Sequence, residues 1–120
     1  MTTIPDFLFW YRAKCLNVVD GDTTDVLTDL GFRVVWEQRV RFHGMNAYEL
    51  HDPDTSKWAL AVKGKEFVAA AIGGKDVVLY TYLDRQEKYG RWLADVWYFR
   101  DGQWILLNDE LVVEALAVKA

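Results

Sequence analysis

The chain has 120 residues, 52% of them hydrophobic and 27% charged, with a net charge of −4. That is enough apolar material for one compact core and too much for general disorder. The lone Cys15 excludes an intramolecular disulfide, two histidines (His43 and His51) are too few for a His-rich metal site, and the acidic balance argues against tight non-specific binding of nucleic acid.

Residues 1–6 carry no positive region, and the apolar run 7–11 stops at Arg12, so no secretory signal is expected there. No stretch approaches the roughly 20 apolar residues of a membrane span. The expectation is a cytoplasmic protein without membrane contact, compatible with a viral source, forming a single domain over 1–120. Its oligomeric state is not readable from the sequence.

Residues 10–19 read as a strand, with Tyr11, Ala13 and Cys15 on one side, followed by an Asp20-Gly21 turn. Residues 23–30 read as a second strand by alternation, and Leu30-Gly31 as a turn. A third strand is expected over 32–42, rich in β-branched and aromatic residues. Residues 43–53 read as loop. Asp54, Thr55 or Ser56 can cap a helix on which Trp58, Ala61, Val62, Lys65, Val68 and Ile72 recur at helical spacing. Gly64 weakens that helix and Gly73-Gly74 ends it.

Residues 76–83 predict a fourth strand, 84–90 a polar turn, and 92–100 a fifth strand. Asp101-Gly102 then turns the chain into a return strand over 104–107. Asn108 or Asp109 is expected to cap a short terminal helix carrying Leu111, Val112, Ala115 and Leu116. The order β-β-β-α-β-β-α predicts an α+β, mainly β fold: a five-stranded Greek-key barrel of the OB type, with a helix between strands three and four and a short C-terminal helix. An SH3-like or open-sheet α+β domain is the alternative.

Three segments carry chemistry when taken together: Val18-Val19-Asp20-Gly21-Asp22-Thr23, the stretch from Arg41 to Glu49, and Lys88-Tyr89-Gly90-Arg91. They supply carboxylates, an amide and two arginines. Oxygen donors suit a hard divalent cation. Arginine forks match phosphate geometry, and a nearby glutamate can take a proton at neutral pH. Each segment also has an ordinary reading: a hairpin turn at Asp20-Gly21, a surface ion pair for Arg41 with Glu37 or a neighbouring Asp, a solvated acid at Glu49, a hairpin charge at Arg91.

In order and spacing these segments resemble the staphylococcal nuclease (thermonuclease-like) family. The first is similar to its V-x-D-G-D-T. Arg41-Phe42-His43-Gly44-Met45-Asn46-Ala47-Tyr48-Glu49 is similar to its R-L-x-G-x-D-[TA]-P-E, and Lys88-Tyr89-Gly90-Arg91-Trp92-Leu93-Ala94 to its K-Y-G-R-x-L-A. A softer match joins Asn108, Leu111, Val112 and Ala115-Leu116-Ala117 to its V-N-x-x-L-V-x-x-G-L-A. The resemblance implies an OB-type barrel and a metal-dependent nuclease using calcium or another divalent cation, with DNA or RNA as a transient partner. It implies Asp22, Asn46 and the Ala47 carbonyl as metal ligands, supported by Asp20 and Thr23. Glu49 would act on the attacking water, Arg41 and Arg91 on the phosphate, and Lys88 and Tyr89 on a neighbouring phosphate.

The chain departs from the pattern at Asn46, where the family has Asp, and at Tyr48, where it has Pro. A neutral amide weakens a cation site, and losing proline loosens the loop that carries Glu49. The sequence also stops soon after Ala117, where the family continues into a further helix and tyrosines that stack on the nucleotide. A non-catalytic OB-type module that binds nucleic acid or protein is therefore the second expectation, and an assembly platform the third.

Overall fold

The computed structural model describes residues 9–83 and 92–120. In chain order the elements are β1 (Trp10–Asp20), β2 (Thr23–Asp29), β3 (Val35–Phe42), β4 (Met45–Ala47), α1 (Thr55–Ile72), β5 (Asp76–Leu83), β6 (Trp92–Arg100), β7 (Gln103–Leu106), α2 (Leu107–Val113) and β8 (Ala117–Lys119). The main sheet runs β3-β2-β1-β5-β6-β7, and a parallel pairing of β3 with β6 closes five of its strands into a barrel. The seam pairs Val40 with Trp92, Arg41 with Leu93 and Phe42 with Ala94. This is the mainly β, OB-type architecture that the element order predicts.

Period-two alternation decides what faces inward. On β1, Ala13 and Cys15 are buried while Arg12, Lys14 and Leu16 point out. Cys15, Val26, Phe42, Leu79 and Val96 fill the barrel, and each is essentially inaccessible to solvent. α1 presents Ala61, Gly64, Val68 and Ile72, spaced three and four apart, on its buried face. Leu107 and Leu111 of α2 plug the same core. Full burial of each such aliphatic or aromatic side chain contributes about 1.5–3 kcal/mol. Among the described residues no helix is long and apolar enough to cross a membrane.

The third strand is shorter than its composition suggests. Gly31, Phe32 and Arg33 all take positive φ (82°, 54° and 63°), so the turn consumes the start of the 32–42 run and β3 begins at Val35. The expected loop over 43–53 contains β4, which pairs antiparallel with β8. Asp54 is the N-cap of α1, accepting from the backbone N–H of Ser56 at 2.9 Å and of Lys57 at 3.4 Å.

Asn108 is not a cap. Leu106 holds that position without a side-chain hydrogen bond, and Asn108 lies inside α2, buried. Its amide donates to the carbonyls of His43 (2.9 Å) and Ala94 (3.0 Å), and its oxygen accepts from the Val96 N–H (2.8 Å). One side chain thus ties α2 to β6 and to the end of β3. The helix ends at Val113. Ala115 sits at φ 59° in the turn beyond it, which returns the chain into β8.

Candidate functional site

Two register shifts mark the β1–β2 pair, between Cys15 and Asn17 and between Val18 and Asp20. Such bulges bend a strand pair and re-aim its side chains. Here they end in the Asp20–Thr23 turn, at the mouth of the barrel. Gly21 in that turn lies against the α1 backbone at Gly64, and a Cβ on Gly21 would stand 3.1 Å from the Cβ of Ala47. The turn is therefore held between the helix and the segment carrying Asn46 and Ala47.

Asp22 is the hub. Its Oδ2 accepts the backbone N–H of Ala47 at 3.2 Å, and its Oδ1 accepts the Thr23 hydroxyl at 3.0 Å. Its own N–H donates to Asp20 Oδ1 at 3.1 Å. Arg41 Nε stands 4.0 Å from Asp22 Oδ2, and Arg41 Nη2 donates to the amide oxygen of Asn46. Arg41 reaches this point because β3 pairs it with Thr23 on one side and with Leu93 across the seam on the other. Burial, with the neighbouring Asp20 carboxyl adding to it, pushes the Asp22 carboxyl up to about 6; the Ala47 N–H and the Thr23 hydroxyl pull the other way.

These residues open onto a cavity of about 340 Å³ lined by Asp20, Asp22, Thr23, Arg41, Ala47 and Glu49, with Tyr48 and His51 at its wall. Glu49 is exposed in the stretch after β4. The structure thus brings together Asp20, Asp22, Thr23, Arg41, Asn46, Ala47 and Glu49. Lys88, Tyr89 and Arg91 lie outside the described residues, as does the expected turn over 84–90. Trp58 and Trp92, the tryptophans closest in sequence to the site segments, do not line the cavity. Sequence reasoning gave no role to His51. It reaches the wall because the chain folds back there, and nothing in its local pattern signals that.

A divalent cation fits the chemistry of this donor set. Asp22 and Asp20 place two carboxyls side by side, and burial first, then the neighbouring Asp20 carboxyl, raises the Asp22 carboxyl; a cation held between them would offset the Asp20 part of that cost. The Asn46 amide oxygen, bound to Arg41, keeps a second lone pair. Among the described residues no group of three or more His, Cys, Asp or Glu side chains is gathered as a ligand set, so carboxylate, amide and backbone oxygen would have to share the ion with water.

The family model described as "Staphylococcal nuclease homologue" matches residues 39–120. Thermonuclease of Staphylococcus hyicus is 27% identical over 104 residues, which is 87% of this chain and 56% of that protein. The chain therefore spans little more than half the length of this relative. The family model covers more than half of the sequence, and the chain belongs to the staphylococcal nuclease family.

Proposed function

We propose that this chain is a divalent-cation-dependent phosphodiesterase, with calcium as the favoured ion, cleaving single-stranded or frayed DNA or RNA. The observation that carries this reading is the position of Arg41: its guanidinium lies beside Asp22 and Asn46 and faces the cavity that Glu49 borders. A bound phosphodiester would take the outer edge of that guanidinium through paired N–H donors. Glu49, exposed at the rim, would orient the attacking water and accept its proton. Asp22, Asn46 and the Ala47 carbonyl would hold the cation, with Asp20 and Thr23 fixing Asp22. When bound, the cation would polarise the phosphoryl oxygen. Arg91 would supply a second fork, and Lys88 and Tyr89 a grip on the adjoining phosphate.

The test is cleavage of end-labelled single-stranded DNA and RNA by the purified chain across calcium, magnesium and manganese, with EDTA and Arg41→Ala as controls. Metal-dependent cleavage that disappears in the variant supports the reading. No cleavage with any ion sinks it.

One observation favours a second reading, a binding module of the same fold without catalysis. Arg41 is engaged with the Asn46 amide, where the family pattern has a carboxylate. Metal-independent binding of an oligonucleotide that survives Glu49→Gln would select this reading.

A further inference from the structure

A second groove lies on the outer face of the barrel and shares no residue with the candidate site. It encloses about 520 Å³ over the outer surfaces of β1 and β5. Arg12 and Lys14, two apart on β1, project into it. Trp104, on β7, forms one wall and is 55% exposed. The same tryptophan continues into an adjoining apolar hollow bordered by Trp10, Val78 and Trp97. Trp10 is itself 38% exposed.

Neither Arg12 nor Lys14 makes an ion pair among the described residues, although Asp76 faces Lys14 in register. Asp29, the other acid at the rim, accepts the N–H of Gly31 at 2.8 Å through one oxygen and is turned toward its own turn rather than toward Arg12 or Lys14, with which it makes no ion pair among the described residues. Among the described residues the groove therefore sets two cations without an ion-pair partner beside two partly exposed indoles, Trp104 packed edge-on with Phe99 and Trp10 with Tyr80.

We propose that this outer groove is an exosite for single-stranded nucleic acid, with phosphates on Arg12 and Lys14 and bases stacked on Trp104 and Trp10. Cations tracking a backbone beside aromatic faces are the recurrent solution to sequence-tolerant binding of single strands. An acidic peptide would use the cations but leave the indoles without planar partners. β1 connects the two sites: Asp20 lies six positions beyond Lys14, about 20 Å of extended chain. A strand several nucleotides long would reach from the groove to the cavity, which lets an acidic protein bind substrate locally. The link to cleavage rests on the nuclease reading; the groove itself does not.

The test uses the full chain and fluorescein-labelled dT15, with anisotropy followed in EDTA across a salt series. Arg12→Gln/Lys14→Gln should weaken binding about tenfold and flatten the slope of log affinity against log salt by about 1.4, since each phosphate contact on a single strand contributes about 0.7. Trp104→Ala should cost at least about fivefold and reduce the tryptophan quenching that dT15 causes. Hydrolysis of bis-p-nitrophenyl phosphate, too small to reach the groove, should be unchanged in both variants, and near-UV dichroism checks their folding. Failure of the wild type to bind dT15, or affinities and salt slopes unchanged in both variants, overturns the exosite even if cleavage is found. Equal competition by a 15-residue oligoglutamate overturns it too, in favour of a protein partner. Wild-type binding lost in the variants, without any cleavage, leaves the exosite standing and removes the nuclease reading instead.

Discussion

The Cα of Gly21, in the turn that carries Asp20 and Asp22, lies 3.9 Å from the point a Cβ on Gly64 would occupy in the middle of α1. Two glycines let a helix backbone and a hairpin turn touch, and this contact sets the height of the acidic turn over the barrel mouth. The two positions are not equivalent. A Cβ on Gly64 meets its nearest atom, the Leu116 carbonyl oxygen, at 3.5 Å, which is ordinary contact. A Cβ on Gly21 meets Ala47 at 3.1 Å.

Gly64→Ala is accordingly expected to be tolerated and to stabilise the protein by up to about 1 kcal/mol through helix propensity. Gly21→Ala should destabilise by about 1–3 kcal/mol, because Ala47 must shift. Urea titrations of the two variants give opposite signs if the packing is as described.

Asp22 predicts a pH dependence. Its folded pKa, about 6, lies above the ordinary 3.8. Between those values the folded state binds the proton more tightly than the unfolded state. The contribution is fully present below about 3.8 and is lost as pH rises through about 6. Asp22→Asn should therefore raise Tm at pH 7–8, by the equivalent of about 1–2 kcal/mol once solvent screening is allowed for, and change little below pH 4. A Tm gain that is the same at pH 3.5 and pH 7.5 would assign the effect to something other than this carboxyl.

Asn108→Ala should cost about 2–4 kcal/mol. It strips three hydrogen bonds from a buried site and leaves the Val96 N–H and two carbonyls without that partner. Chemical denaturation measures this directly, and a loss under 1 kcal/mol would mean that water replaces the amide.

Asn46→Asp should strengthen binding of a divalent cation by restoring a carboxylate beside Asp22. The expected readout is a larger calcium-induced rise in Tm than in the wild type. Arg41→Ala should lower any phosphodiester cleavage by on the order of 10²–10³-fold, the usual loss when a well-placed charge stabiliser is removed. Arg41→Lys should recover only part of it, since a lysine cannot form the paired contact.

Much of this was legible in the sequence, for reasons that differ by residue. The alternation of Ala13 and Cys15 against Arg12 and Lys14 identifies β1, because solvent on one face and core on the other impose period two. The start of α1 is announced by Asp54, Thr55 and Ser56 because a cap acts over three residues, and the structure selects Asp54 among them. Asn108 was misread by the same local logic: an amide before an apolar run looks like a cap, and only the tertiary position of β6 and His43 reveals its use. β4 and β8 were missed because each is three residues long and is defined by its distant partner. At the site, the motif residues on the turn and on β3 could be named in advance. The Arg41–Asn46 bond and the His51 wall depend on how the 43–53 segment folds back, which no local pattern encodes.

The three-pair seam between β3 and β6 has a kinetic consequence. Arg41 sits in that seam, and its partner Leu93 lies across more than half the chain's remaining length, beyond α1 and β5. Hairpins such as β1–β2 and β6–β7 close short loops, whereas this pairing must wait for a long one. Arg41 should thus reach its working position among the last residues to do so during refolding. Recovery of any phosphate binding at Arg41 would then lag behind the return of strand signal, timing the closure of the ring.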